Sequence, residues 1–314
     1  VTFALGDGAA AFLSICQGRK DTQNAHKAVG NSILVCAICS LIFVLLGFVF
    51  MDPLLYFFGV SDATIGLAHE YFTIVLAFIP AFMVGSMINS IVRADGSPAF
   101  AMVQTLAGAI TNIILDSIFI FGFHWGMRGA AWATIIGQVI TLIIGIIYLF
   151  RTKTFRLSLE SFKLNFRVFN NVFKLGISTF ITQIAVVIIS LTSNVMLAKY
   201  GAESAYGADI PIATMGICSK VFSIVLNIAI GIIVGAQPIL GYNIGAGKND
   251  RVKDTFRIAA IATTIVGIVI TAIVEMFPDL FINLFGVDSE LYLEFARITF
   301  RIFLLGVTLT CLVK

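Results

Sequence analysis

The chain has 314 residues, 59% of them hydrophobic and 12% charged, with a formal net charge of +3. Its mean hydropathy of +1.01 excludes an ordinary soluble domain and indicates a polytopic membrane protein. The small net charge says little about partners, because the Lys and Arg bias is used in setting topology. Apolar runs of ~20 residues, enough to cross a bilayer at ~1.5 Å per residue, recur along the chain. In chain order they predict a cut segment at 1–16, then spans near 28–50, 71–92, 99–122, 129–150, 172–198, 211–242, 258–277 and 291–313. All nine are expected to be helices, since an open sheet cannot satisfy its backbone in lipid.

An internal repeat organises these spans. Residues 8–60 reappear without a gap at 235–287: Gly8-Ala9 aligns with Gly235-Ala236, Leu13 with Leu240, Gly18 with Gly245, Asp52 with Asp279, and Phe58-Gly59-Val60 with Phe285-Gly286-Val287. Glycines, a loop Asp and a Phe-Gly-Val corner fall at helix ends, the mark of a secondary transporter built from two halves. Basic residues cluster in loops 17–28, 93–98, 151–174 and 243–257, which places those loops in the cytoplasm. Gly18 and Gly245 then lie on the same side, so the halves are parallel repeats about an axis along the membrane normal. The expected architecture is an all-α polytopic protein of two parallel six-helix lobes, truncated to about nine helices. Its N-lobe is 1–150 (helices 2–6), its basic cytoplasmic linker 151–174, and its partial C-lobe 175–314 (helices 7–10). One helix is expected to be missing at the front and two at the back.

The chemistry concentrates in the hairpin of spans 99–122 and 129–150, whose only carboxylate is Asp116. An ionisable group within a span is expensive to bury and is a functional candidate. Asn112 lies one turn deeper on the same face. Thr134 matches Asp116 in depth, ~8–9 Å below the outer turn at ~1.5 Å per residue, and Gln138 is level with Asn112. A carboxylate, an amide oxygen and a hydroxyl suit a proton or a hard cation such as Na⁺. The competing reading has Asp116 snorkelling to the outer surface while Asn112 pins two helices. Asp7, ~16 Å in from Gly18 on a regular helix, is either a second cation-coupling ligand facing Asp116 or a bond to a neighbouring helix. Lys220 lies deep in span 211–242, either gating the cavity or held by a fixed partner such as Glu275; Arg301 raises the same question. Polar stripes suggest a cavity lined by Thr179, Gln183, Ser190 and Asn194, and by Met83, Ser86 and Asn89, although such stripes also serve helix packing. Pro80 and Pro238 are candidate bends.

The stretch Asn112-Ile-Ile-Leu-Asp116-Ser-Ile-Phe-Ile-Phe-Gly122 with Gly129-Ala-Ala-Trp-Ala-Thr134 resembles the multidrug and toxic compound extrusion (MATE) transporters. Further matches are Arg93-Ala-Asp-Gly-Ser-Pro98, Gly8-Ala-Ala-Ala with Ser14 and Gly18, and Gln237-Pro238-Ile-Leu-Gly241-Tyr-Asn243-Ile-Gly245-Ala. They cover almost the whole chain in order, and are most similar to the prokaryotic branch of DinF-like and MepA-like exporters. The resemblance implies two six-helix lobes around a central cavity, with organic cations leaving in exchange for Na⁺ or H⁺. It carries the cation-coupling role onto Asn112, Asp116 and Thr134, and implies a further carboxylate on a first helix that this chain does not contain. Asp7 departs from the pattern, which usually has a small or apolar residue there.

Other motifs carry nothing. Cys36-Ala-Ile-Cys39 lies mid-span without further ligands, Gly245-Ala-Gly-Lys248 lacks the spacing of a phosphate loop, and the histidines form no metal set. The expected activity is therefore not enzymatic: an ion-coupled exporter of small amphipathic cations in the inner (plasma) membrane, a monomer with no cofactor beyond H⁺ or Na⁺ and no nucleic-acid partner. A lipid-linked precursor flippase is the neighbouring alternative, and a non-transporting membrane scaffold or channel subunit the more distant one.

Overall fold

The computed structural model describes residues 1–58, 60, 64–207, 209–283 and 290–313. Helices account for nearly all of them: α1 (Thr2–Arg19), α2 (Thr22–Val49), α3 (Met51–Phe57), α4 (Ile65–Ala77), α5 (Ile79–Ala94), α6 (Pro98–Asp116), α7 (Gly126–Leu149), α8 (Phe166–Ala202), α9 (Asp209–Gly245), α10 (Asn249–Met276), α11 (Pro278–Asn283) and α12 (Glu290–Val313). Among the described residues six helices are each long and apolar enough to cross a membrane, and the α4–α5 pair makes a seventh. Their outward faces are apolar, as at Leu45, Ile113 and Val186, which is what a hydrocarbon solvent requires.

Each predicted span has its helix, with two local departures. Span 71–92 is two helices bent by 52°. The break falls at Phe78, and Pro80 directly follows it, where the missing proline N–H cannot continue the ladder. The linker is also shorter than expected, because α8 is already helical from Phe166. The repeated corner at Gly59 and at Phe285-Gly286-Val287 lies outside the described residues, as do Asp62, Asp288 and Lys314.

Contacts divide the chain into two compact units, Val1–Phe180 with Gly241–Gly247, and Ile181–Leu240 with Lys248–Lys314. The first is centred on Leu13 of α1, Val29 of α2, Met87 and Ile91 of α5, and Val172 of α8, all fully or almost fully buried. The second is centred on Cys218 and Val221 of α9, Val274 of α10, and Ala296 and Phe300 of α12.

Polar anchors hold the linker against the first unit. Asp95, fully buried, accepts hydrogen bonds from the Tyr148 hydroxyl at 2.7 Å, from the Lys153 and Thr154 amides at 2.7 and 2.8 Å, and from the Thr154 hydroxyl. Asn31 of α2 donates to the carbonyls of Ser161 and Lys163, and its own oxygen accepts from the Asn165 amide at 2.6 Å. Both residues thereby satisfy backbone polar groups of the linker that lie outside the α-helices.

The repeat extends from letters to interactions. Asp52 on α3 pairs with His69 of α4 at 3.3 Å, and its counterpart Asp279 on α11 receives bonds from Arg297 of α12 at 2.7 and 2.8 Å. Those bonds hold the Asp279 carboxyl below its ordinary value. More telling is the crossing of α1 with the end of α9. In the register of the repeat Ser14, Ile15 and Gly18 correspond to Gly241, Tyr242 and Gly245. A β-carbon on Gly18 would strike the Tyr242 carbonyl, one on Gly245 the Ile15 carbonyl, and one on Gly241 would lie 2.6 Å from the Ser14 β-carbon. Each residue thus touches the counterpart of its partner, which is the reciprocity of a local two-fold axis.

Because those neighbours are backbone atoms, they cannot turn aside. Gly245→Ala is expected to separate the two helices and cost about 1–3 kcal/mol by overpacking. Gly231→Ala on the same helix meets open space and is expected to be neutral. Thermal unfolding of the purified full-length protein compares them; equal midpoints for the two variants would contradict the crossing.

Candidate functional site

Helices α6 and α7 approach as closely as glycine allows. A β-carbon on Gly108 would meet the Thr141 hydroxyl and lie 2.8 Å from the Gly137 carbonyl. One on Gly137 would lie 2.7 Å from the Gly108 carbonyl and 3.2 Å from the Asn112 β-carbon. This reciprocal contact is the small-residue packing expected between helices in lipid, where apolar area alone gives no attraction. At the outer end Gly129 sits against Phe119, whose ring stacks with Trp125 at a centroid distance of 5.1 Å. The turn itself uses positive φ at His124 and Gly126.

The depth match expected from the sequence is produced by these contacts. Asn112 Nδ2 donates to Thr134 Oγ1 at 3.4 Å, and Gln138 follows one turn later on α7, half-buried. Asp116 closes the α-helical part of α6. From Ser117 to Gly122 the chain continues as a π-helix, a geometry that recurs at functional sites. Asp116 Oδ1 is buried and receives no hydrogen bond among the described residues. That oxygen is therefore not displayed to bulk solvent, and it does not bond Asn112 or Thr134. Leaving such an acceptor unsatisfied costs about 1–3 kcal/mol, more for a charged group. A proton or a small cation would remove that cost, and the neutral oxygens of Asn112 and Thr134 lie on the adjoining turns. Among the described residues no group of three or more His, Cys, Asp or Glu is placed to hold a metal ion, so any Na⁺ here rests on one carboxylate and neutral oxygens.

Asp7 goes elsewhere. Its Oδ1 accepts from Ser90 Oγ of α5 at 3.4 Å, and the Thr179 hydroxyl of α8 also bonds the carboxylate. These partners lie on α5 and α8, and neither belongs to the α6–α7 set. Met83 and Asn89, expected on a cavity wall, are buried within the first unit. Met83 joins the apolar core, and Asn89 donates to the Ala101 carbonyl at 2.8 Å and to Gln104 Oε1 at 3.1 Å. A buried amide needs its partners close by, which the helix stripe alone does not reveal. Ser86 is half-buried on the same helix. Thr179 falls in the first unit, while Gln183, Ser190, Asn194 and Lys220 are exposed residues of the second. Glu275 Oε1 is buried without a hydrogen bond among the described residues, so that oxygen is not held by Lys220.

Gln104 escaped the sequence reading. It is fully buried and its amide donates to the Thr141 carbonyl of α7 at 2.9 Å and the Gly85 carbonyl of α5 at 3.2 Å. Arg93 also looked like a loop charge, yet its guanidinium turns inward to Asn89 Oδ1 and to Ser90 Oγ. A cleft of about 840 Å³ opens between α4 and α7, lined by Ile65, His69, Glu70, Thr73, Arg128 and Trp132 among others. None of the predicted site residues lines it.

Since Gly108 sets the spacing beneath Asn112, Gly108→Ala is expected to part α6 from α7, at about 1–3 kcal/mol, and to break the Asn112–Thr134 bond. Thermal unfolding together with cysteine cross-linking between positions 112 and 134 measures both effects. An unchanged midpoint and cross-linking rate would show that the glycine contact does not position the site.

The family model MatE matches residues 1–118 and 179–313. Multidrug export protein MepA of Staphylococcus haemolyticus (strain JCSC1435) is 27% identical over 308 residues, covering 98% of this chain and 65% of that protein. The same-named protein of Staphylococcus aureus (strain MSSA476) is 28% identical with the same coverage. The chain thus spans 65% of the length of these curated relatives. Among solved structures, the outward-facing conformation of a multidrug resistance MATE family transporter of the MOP superfamily superposes with a TM-score of 0.88 at 20% identity, covering 99% of this chain and 68% of that one. A MOP superfamily transporter from Pyrococcus furiosus gives 0.86 at 18% identity, covering 99% and 71%. The fold is theirs, and the helices, the parallel repeat and the family match together make this chain a multi-pass membrane protein of the MatE family.

Proposed function

We propose that the chain forms the core of a secondary active exporter that moves amphipathic organic cations out across the plasma membrane in exchange for H⁺ or Na⁺. The observation that carries this reading is the buried Oδ1 of Asp116, without a hydrogen bond among the described residues, on a helix held against α7 by glycine contacts. Such an oxygen is costly when empty and stabilised when it holds a positive charge, so the two states differ in free energy by an amount worth coupling to. The proton or ion enters on Asp116. Asn112 and Thr134, already bonded to one another at 3.4 Å, offer a carbonyl and a hydroxyl oxygen, and Gln138 offers a further amide one turn on.

Exchange then needs no direct contact between ion and drug. If the cation favours one arrangement of the transporter and the drug the other, each drives the release of its competitor through the shared equilibrium. A difference of about 5.5 kcal/mol in binding between the two arrangements would carry the equilibrium from 1:99 to 99:1. The names of the similar staphylococcal proteins, multidrug export proteins, support a drug-sized substrate. Tight crossings between repeat-equivalent helices, as at Gly18 and Gly245, support movement as packed bodies rather than as flexible segments.

The test is dye efflux from vesicles containing the full-length protein under imposed Na⁺ and pH gradients. Wild type is expected to respond to one of the two gradients. Asp116→Asn keeps the shape and loses the charge, and is expected to lose at least tenfold of the gradient-driven rate while still binding dye. Efflux by Asp116→Asn that follows the gradient as wild type does would contradict the proposal.

A further inference from the structure

A second carboxylate, outside the α6–α7 hairpin, sits in an environment built for a cation. Asp7 lies on α1 where three helices meet with little space between them. A β-carbon on Gly6 would lie 3.2 Å from Ser90 Oγ and 3.3 Å from the Met87 Cα of α5, and one on Gly8 would lie 3.1 Å from the Gly176 nitrogen of α8. Water has little access there, and Ser90 is 4% exposed. The carboxylate meets two hydroxyls from two different helices, Ser90 of α5 at 3.4 Å and Thr179 of α8. One anionic and two neutral oxygens on separate elements form a donor set suited to a proton or a small monovalent ion.

Arg93 supplies a positive charge that acts on Asp7. Its Nη2 donates to Ser90 Oγ at 2.8 Å, and the Ser90 hydroxyl in turn donates to Asp7 Oδ1 at 3.4 Å. The arginine is fixed in that position from behind. It donates to Asn89 Oδ1, Asn89 donates to Gln104 Oε1 at 3.1 Å, and Gln104 donates to the Thr141 carbonyl of α7 at 2.9 Å. The chain of bonds therefore runs from α1 through α5 and α6 to the helix that carries Thr134. Arg93 is the charged group acting on Asp7, and α8 contributes the Thr179 hydroxyl. When a monovalent cation occupies the carboxylate the pair becomes neutral, Asp7 no longer attracts Arg93, and the bonds behind the arginine take up the change.

We propose that Asp7, with the hydroxyls of Ser90 and Thr179, is a second monovalent-cation site of this transporter, and that Arg93, Asn89 and Gln104 link it to the α6–α7 hairpin. The site deepens the cation-coupled reading and rests on it. It implies that coupling involves two carboxylates on different helices: at Asp7 the cation is exchanged for the attraction of the internal arginine, whereas Asp116 Oδ1 has no hydrogen-bond donor among the described residues. The two sites then differ in kind: the occupant of Asp7 competes with a fixed positive charge, whereas the occupant of Asp116 fills a vacant acceptor.

The experiment counts cations in the full-length protein in nanodiscs, as sodium bound at fixed pH and as protons released when dye is added. Asp7→Asn is expected to lower one of the two counts by one per chain. Asp116→Asn is expected to do so independently, and the double variant by both. Thr179→Val keeps the carboxylate but removes a hydrogen bond that favours its anionic form, and is expected to shift its cation affinity about tenfold, upward for H⁺ and downward for Na⁺, the size of one hydrogen bond to a charged group. This variant reads the site even if Asp7→Asn fails to fold. A fall in sodium identifies Na⁺ and a fall in released protons identifies H⁺. Asp7→Asn and Thr179→Val with wild-type counts and affinities overturn the second site, and if Asp116→Asn alone lowers the count the coupled reading survives that loss. No change in any variant, Asp116→Asn included, overturns both.

Discussion

A buried carboxylate oxygen on α6, with no donor to meet it among the described residues, is the constraint around which the candidate site is arranged. Asp116 lies on a stretch of chain that is held against α7 at both ends, by Gly108 against Gly137 and by Gly129 against Phe119. In water such an acceptor would be hydrated and of little consequence. In hydrocarbon the missing partner is a standing cost, and whatever positive charge removes the cost gains leverage over the structure. The π-helical stretch from Ser117 to Gly122 places the break in regular backbone bonding directly after the acid.

Small residues provide this leverage with rigidity. Helices in lipid gain little from burying apolar area against one another, so their association relies on close van der Waals contact and interhelical hydrogen bonds. The first unit uses glycine for the former at α1–α5, α1–α8, α1–α9 and α6–α7, and buried amides for the latter. Gln104 and Asn89 tie α5, α6 and α7 together through five bonds, to the Gly85, Thr141 and Ala101 carbonyls, to one another, and from Asn89 to the Thr105 hydroxyl. Removing a side chain from such a network leaves its partners buried and unsatisfied, a larger loss than the bond itself. A perturbation at one of these amides is thus felt across three helices.

Much of this was legible in the sequence, and the reasons for the rest are physical. Spans, loops and the parallel repeat follow from hydropathy and charge, which act locally and with a fixed period. Asn112 and Thr134 were legible because two helices joined by a short turn must match in depth, and the structure brings them to 3.4 Å. The partner of Asp7 was not, since the register of α1 against α5 is set by glycine contacts between segments more than eighty residues apart in sequence. Met83 and Asn89 were left with two readings for a related reason: a polar stripe states which face is special but not whether it meets a cavity or another helix. Asp95 showed only as part of a motif, whereas two of its four bonds come from linker amides at Lys153 and Thr154 and two from the Tyr148 and Thr154 hydroxyls, partners more than fifty residues away in sequence.

The proposed exchange requires the Asp116 carboxyl to change occupant. Infrared difference spectra of the full-length protein, recorded as Na⁺ or pH is stepped with and without dye, read the carboxyl stretch directly. The account predicts a band that moves between the acid or free carboxylate and the ion-bound form, opposite in sign for cation and dye, and absent from Asp116→Asn. A spectrum in which no carboxyl band assigned to Asp116 responds to either cation would contradict it.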